Sequence, residues 1–243
     1  PGSEHVISSN EAFFLTELPQ KALVVGGGYI GVEFAGILNG LGVETTLAYR
    51  RDLFLRGFDG SLREYLAAEV VKKGIDLRFN TDVSSIEKVE AGLEVTFQDG
   101  KKEIFGKVLY ATGRHPNTKG LGLETAAVEL AENSSIKVDD NFQTSCPSIY
   151  AVGDVIDRIQ LTPVALAEGM FLAHHLFGEE RSQVDYRLIP TAVFSQPELA
   201  TVGLTETECR EKYGDDDIVI YKSEFRAMKN TLSGSDEKTL MKL

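Results

Sequence analysis

The sequence predicts an α/β fold built on a parallel sheet and interrupted by an antiparallel meander. Three observations carry this. Residues 22–25 form an apolar run that ends in Gly26-Gly27-Gly28 and opens directly onto a helical pattern. Strand-like and helix-like periods then alternate as far as residue 79. From residue 83 the period drops to two, with turn residues between short runs.

Taken in order, residues 22–25 (Ala-Leu-Val-Val) read as a buried strand, and 29–41 as a helix ending near Gly40 and Gly42. Residues 43–49 alternate loosely and read as a second parallel strand. Residues 61–73 read as a helix with Leu62, Leu66 and Val70 on one face and Gly74 just past its end. Residues 75–79 supply a third strand, completing βαβαβ, half of a doubly wound sheet. The runs 83–89, 93–97 and 103–108 are separated by Ala91-Gly92 and Asp99-Gly100 and read as the meander. Residues 108–111 return to the parallel sheet and meet Thr112-Gly113-Arg114. A looser, more polar stretch spans 116–144, a strand–loop–helix unit spans 148–177, and a new strand-like pattern begins after Arg187-Leu188-Ile189-Pro190.

With 243 residues, 42% of them hydrophobic and 26% charged, the chain has a globular composition. Its net charge of −12 argues against general nucleic-acid binding, which needs a basic surface. No apolar run approaches the about 18 residues of a membrane span. The two cysteines, Cys146 and Cys209, are too far apart for a CxxC or zinc spacing, so a reduced, cytoplasmic protein is expected and no metal site. The chain opens on PGSEHVISSN without methionine and closes on EKTLMKL in a strand-like pattern, so both ends read as cuts in a longer polypeptide, one that could have carried an organellar targeting segment.

Gly26-Gly27-Gly28-Tyr29-Ile30-Gly31 fits G-x-G-x-x-G between a strand and a helix. Gly26 permits the tight turn, Gly28 lets backbone approach a pyrophosphate, and Gly31 allows close helix–strand packing. Free N–H groups and the helix dipole then face the phosphate charge. Such a unit ordinarily carries Asp or Glu at the end of its second strand to hold the adenosine ribose. Here that position reads Tyr49-Arg50-Arg51, with Arg56 shortly after. NADP differs from NAD by a 2′-phosphate at that ribose, which a carboxylate repels and which Arg50 and Arg56 can bind. Two charge-assisted bonds of roughly 1.5–3 kcal/mol each favour NADPH over NADH by about two to four powers of ten. Arg51, next to Asp52, is equally readable as a solvated residue.

Further on, residues 149–152 read as a short buried strand that stops at Gly153-Asp154, placing a carboxylate where parallel sheets bind ligands. After Leu161, Thr162 is a good N-cap and Pro163 a good first helical residue. That helix N-terminus suits negative charge developing on a flavin ring.

VVGGGYIGVEFAG, YATGRHPN, the T-x5-YAVGD stretch and LTPVALAEG together resemble the flavin-dependent pyridine nucleotide–disulfide reductases, over essentially the whole chain. YRRDLFLRGFD, SEFRAMKNTLSG and TPVALAEGMFLAHHLFG resemble the family's glutathione-reducing members. The resemblance implies FAD and NADP as cofactors, glutathione disulfide as substrate and a homodimer. It implies a Rossmann-like NADPH-binding domain at 1–116, a second segment of the FAD domain at 117–187, and the start of an α+β interface domain at 188–243. It also implies roles. Tyr29 matches a tyrosine that covers the flavin until NADPH displaces it. Glu33 matches a glutamate that pairs with a lysine beside the flavin. Ile30 lies in the nucleotide loop, Gly113 and Arg114 lie near the cofactor, Asp154 matches the ribitol ligand, and Leu161 and Thr162 lie by the flavin ring. The family's C-x4-C redox pair, its first glycine motif and its His-Pro-Thr-x-x-Glu segment do not occur in the 243 residues, so the chain reads as a central fragment that cannot complete the cycle alone. Trypanothione, mercuric or lipoamide-type reductases, and a non-catalytic nucleotide-binding module, are the alternative readings.

Overall fold

The computed structural model describes residues 1–178 and 183–243. They divide into two compact units, Pro1–Gly113 with Pro190–Leu243, and Arg114–Ile189.

The first unit starts with a single helical turn, α1 (Ser9–Ala12), closed by a capping box between Ser8 and Glu11. The alternation follows: β1 (Lys21–Val25), α2 (Tyr29–Gly40), β2 (Glu44–Ala48), α3 (Gly60–Lys72) and β3 (Asp76–Arg78). Then come β4 (Val83–Val89), β5 (Gly92–Phe97), β6 (Lys102–Phe105) and β7 (Lys107–Tyr110). The main sheet runs β3-β2-β1-β7, every pair parallel, and β4-β5-β6 form a separate antiparallel sheet. β1 is buried on both faces, as a central parallel strand must be. Ala22 and Val24 pack with Val32, Ala35, Leu47, Leu66 and Val70 on the helix side. Leu23 and Val25 pack with Ile86, Val95, Phe97 and Phe105 on the meander side.

The expected single run at 103–108 is two strands. Gly106 N–H donates to Lys21 O at 2.9 Å, which moves the chain from its antiparallel partner β5 to its parallel partner β1. A side chain at Gly106 would press on Pro19, since a Cβ there would lie 2.9 Å from the proline Cβ.

In the second unit, α4 (Thr162–Phe177) packs Phe171 against Phe142, Ile136 and Ile156. Residues 149–152 do not form the expected strand. They are extended with one bridge, Gln143 to Tyr150, because they pair only with the short arm 142–144 of a tight hairpin that turns at 145–148. Thr162 is the first residue of α4 rather than its cap. Leu161 holds the cap position, without a side-chain bond.

The chain returns to the first unit with β8 (Thr191–Val193), β9 (Leu199–Thr201), α5 (Glu206–Tyr213), β10 (Lys222–Phe225), α6 (Lys229–Ser233) and β11 (Thr239–Lys242). Val193 and Leu199 complete the helix-side core.

Candidate functional site

The glycine turn sits at the C-terminal end of β1. Gly26 adopts φ 135° and its N–H donates to Ala48 O at 3.0 Å, so the turn is tied to β2. A Cβ on Gly26 would lie 2.2 Å from Ala111 O, and one on Gly31 would lie 2.3 Å from Gly26 O. Both positions therefore need glycine for packing, and Gly31 is where α2 closes on the strand. Gly28 differs. A Cβ there would meet nothing within 4 Å, so its backbone borders open space at the start of α2, where N–H groups are free for an anion. Tyr29 is about one-third exposed at that helix start (36%) and Ile30 is half-buried. One turn on, Glu33 Oε1 accepts the Phe194 N–H at 2.9 Å, linking α2 to the segment after β8.

The stretch from Tyr49 to Asp59 is a well-held loop. Phe54 and Leu55 are fully buried in the helix-side core, and Phe54 stacks on Phe79 with centroids 5.6 Å apart. Leu55 sits at φ 54° and its N–H donates to Gly27 O at 2.6 Å, joining this loop to the glycine turn. Arg63 on α3 donates from Nε to Phe54 O and from Nη2 to Leu53 O, both at 2.7 Å. By contrast Arg50, Arg51 and Arg56 are exposed, and among the described residues their side chains make no hydrogen bond or ion pair. Three unpaired guanidiniums therefore stand on a fixed backbone beside the glycine turn in a chain of net charge −12.

Beneath that loop lies a buried ionic cluster. Asp59 caps α3 by accepting the Ser61 N–H at 3.1 Å. Lys242 donates to both Asp59 oxygens at 2.7 Å and to Ser61 Oγ at 2.9 Å, and pairs with Glu206 at 2.7 Å. Burial pushes the Asp59 carboxyl up, but Lys242, the Glu206 N–H and Ser61 overcome it and hold the group well below the carboxylate range. For Lys242, burial pulls downward, and the bonds to Asp59 and Glu206 leave it raised.

In the second unit, Arg114 and Asp154 form an ion pair at 3.4 Å, each about half exposed. Asp154 belongs to a short 3-10 turn, Gly153–Ile156, held from behind by Glu168. Glu168 is buried on α4 and accepts the Gly153 N–H and the Tyr186 hydroxyl, both at 2.6 Å. Burial, then the bond to Glu168, raises the Tyr186 hydroxyl above its ordinary value, and the Arg158 guanidinium lies 5.6 Å from the Tyr186 ring centroid. Leu161 is half-buried and Thr162 exposed at the start of α4. Gly113 is an exposed glycine just past β7, with nothing within 4 Å of an added Cβ.

Glu168, Arg63 and the Asp59–Lys242 pair escaped the sequence reading. A signal for Glu168 exists, because it occupies the stripe Val164, Glu168, Phe171 on an otherwise apolar helix face. Nothing local marks Arg63, whose partners lie nine and ten positions away, or Lys242, whose main partner Asp59 lies 183 positions away. Cys146 and Cys209 are both free thiols. No group of His, Cys, Asp or Glu that could hold a metal occurs among the described residues, and no helix there is long and apolar enough to cross a membrane.

The parallel order β3-β2-β1-β7, with the glycine turn at the end of its central strand, defines a Rossmann-like α/β protein. The chain belongs to the pyridine nucleotide-disulphide oxidoreductase family, whose profile matches residues 1–169, and that family's dimerisation domain matches residues 189–243. It is 47% identical to a glutathione reductase of Burkholderia cepacia, with 100% of this chain and 54% of that protein covered. It is also 47% identical to the chloroplastic/mitochondrial glutathione reductase of Pisum sativum, covering 100% of this chain and 44% of that protein. A trypanothione reductase of Trypanosoma congolense is 43% identical, with 98% and 49% covered. Among solved structures, the HOCl-induced flavoprotein disulfide reductase RclA of Escherichia coli superposes with a TM-score of 0.89 at 29% identity, covering 100% of this chain and 56% of that one. The chain thus spans about half the length of the curated relatives it matches.

Proposed function

We propose that this chain is the nucleotide-handling part of an NADPH-dependent, FAD-containing disulfide reductase whose substrate is glutathione disulfide. The observation that carries the nicotinamide side is the set of unpaired arginines beside the glycine turn. Their loop has no carboxylate at the strand end, and Gly28 leaves open space where a pyrophosphate would lie. Arg50 and Arg56 hold the 2′-phosphate, while the backbone at Gly26, Gly28, Ile30 and Gly31 takes the pyrophosphate. Tyr29 shields the reaction face and Glu33 orients its partner lysine.

The second unit fits a flavin's polyol and ring. Among the described residues the Asp154 carboxylate has a single weak partner, it sits on a turn that Glu168 helps to fix, and the start of α4 is exposed without a side-chain cap. In this reading Asp154 accepts ribitol hydroxyls, Gly113 and Arg114 border the cofactor, and Leu161 and Thr162 line the ring. When bound, NADPH and FAD supply hydride transfer and a two-electron store, and a thiol pair hands those electrons to the substrate disulfide. The 243 residues contain no C-x4-C, so this chain by itself does not reduce disulfides. Domains at 1–116, 117–187 and 188–243, a homodimer and a cytoplasmic setting belong to the same reading.

The test has two parts. Titrating the chain with NADPH and NADH, unmutated and with Arg50→Ala and Arg56→Ala, should show an NADPH preference of about two powers of ten or more that the double variant erases. Equal affinity for both nucleotides in the unmutated chain would overturn the reading. Turnover of the full-length protein with glutathione disulfide and with trypanothione disulfide then decides the substrate.

A further inference from the structure

We propose that Arg63 is a positioning residue for nucleotide discrimination, setting the affinity ratio of NADPH to NADH without touching either. The proposal rests on the reading of Arg50 and Arg56 as 2′-phosphate ligands.

Arg63 occupies the first turn of α3, where the helix dipole disfavours a cation. Something must offset that cost, and the two bonds to Phe54 O and Leu53 O, both at 2.7 Å, do so. The planar fork of a guanidinium is suited to meeting two neighbouring acceptors at once. Those acceptors are not arbitrary. They precede Leu55, a non-glycine residue at φ 54°, a conformation that costs energy and persists only when its surroundings fix it. Arg56 follows immediately. The fork pins the backbone on one side of the strained residue, and the Leu55–Gly27 bond pins the residue itself. The unpaired Arg56 guanidinium thus starts from a backbone with little freedom, which lowers the ordering cost of binding.

Removing the fork takes the partner from two carbonyls, one of them on the fully buried Phe54. The burial of the Phe54 and Leu55 side chains keeps the fold, while the backbone at Leu55 relaxes to recover hydrogen bonds and Arg56 swings away. The 2′-phosphate is the group that feels this. NADPH affinity falls and NADH affinity does not. A purely electrostatic role makes a different prediction, because a lysine keeps the charge and loses the fork.

The experiment is titration of the 243-residue chain, unmutated and as Arg63→Gln and Arg63→Lys, with NADPH and NADH. Circular dichroism and thermal melting on the same samples report folding. The expected result is an NADPH affinity lowered about tenfold by glutamine and at least about threefold by lysine, with NADH affinity changed less than about twofold. Full retention of the NADPH preference by lysine but not glutamine would assign the effect to charge and overturn the proposal. Equal weakening of both nucleotides, or no change in either variant, also overturns it. An unmutated chain that binds both nucleotides equally sinks the NADPH reading and this inference together. A preference that is present and untouched by Arg63 variants sinks the inference alone.

Discussion

The loops 49–59 and 153–161 have similar settings and are held in different ways. Each runs from extended backbone to the start of a long helix, and each carries exposed charged groups that the proposed function assigns to a nucleotide. The first is anchored from several sides: Phe54 and Leu55 in the core, Leu55 N–H on Gly27, Arg63 on two carbonyls, and Asp59 as the cap of α3. The second has no strand before it and no side-chain cap on its helix. Its turn is held by the buried carboxylate of Glu168 on the Gly153 N–H, by the Ile136 N–H on Val155 O, and by Ile156 in the core. A loop fixed by apolar burial and several bonds keeps its fold when one polar partner is lost, while its backbone adjusts locally. The second loop has fewer polar ties, so loss of the Glu168 carboxylate costs it more of its order.

Four measurements sharpen or break this contrast. Phe54→Ala removes the largest apolar anchor and should cost about 3–5 kcal/mol in urea unfolding. A cost under about 1 kcal/mol would show that burial is not what fixes the first loop.

Lys242→Met leaves Asp59 buried without its cation and should cost about 3 kcal/mol. The sign of the pH dependence follows from the shifts. Asp59 is held below its usual value, so its contribution is present above about pH 4 and is lost as pH falls through the depressed folded value. In the methionine variant that carboxyl moves up, and acid destabilisation should set in at higher pH. Lys242 itself is raised, so its contribution is full below about pH 10 and fades only as pH climbs through the folded value. Identical acid limbs for the two proteins would remove the cluster from the account.

Glu168→Ala strands the Gly153 N–H and the Tyr186 hydroxyl, at a cost of about 2 kcal/mol. Amide exchange at residues 153–156 should rise with it, and Arg63→Gln should raise exchange at 54 and 55 by less, because side-chain burial and the Leu55–Gly27 bond still hold that segment. The reverse pattern would invert the comparison. The smallest stability effect belongs to Gly28→Ala. Its Cβ meets nothing and its φ of −84° suits any residue, so unfolding should shift by less than about 0.5 kcal/mol. NADPH and NADH should nonetheless both bind at least about tenfold more weakly, since the methyl group enters the space assigned to the pyrophosphate.

The parallel sheet was legible because its signals are local. The glycine turn, the Leu62-Leu66-Val70 face and the run of residues 22–25 each declare themselves within a few positions. Residues 83–89 match β4 to the residue, although Val83, Ile86 and Val89 lie three apart and the register shifts between Val83 and Ser85; the clean period of two is in β5, at Leu93, Val95 and Phe97. The extended stretch 149–152 misled because an apolar run does not say what it pairs with, and its partner is only the short arm 142–144. At 103–108 the alternation continues through Gly106, and only the bond to Lys21 O reveals the change of sheet. The arginines were readable as a departure from an expected acid. The residues that hold their loop were not, because Arg63 works through backbone carbonyls and Lys242 reaches across 183 positions.

The Leu55–Gly27 bond has a consequence for how the nucleotide is recognised. It couples the glycine turn to the backbone that carries Arg50 and Arg56. On the proposed reading the two loops act as one chelating unit with a fixed bite. Once the pyrophosphate is seated, the 2′-phosphate meets its arginines at a high effective concentration rather than by a second independent encounter. Inorganic phosphate or pyrophosphate, which can fill one half of the unit but not both, gains none of that advantage.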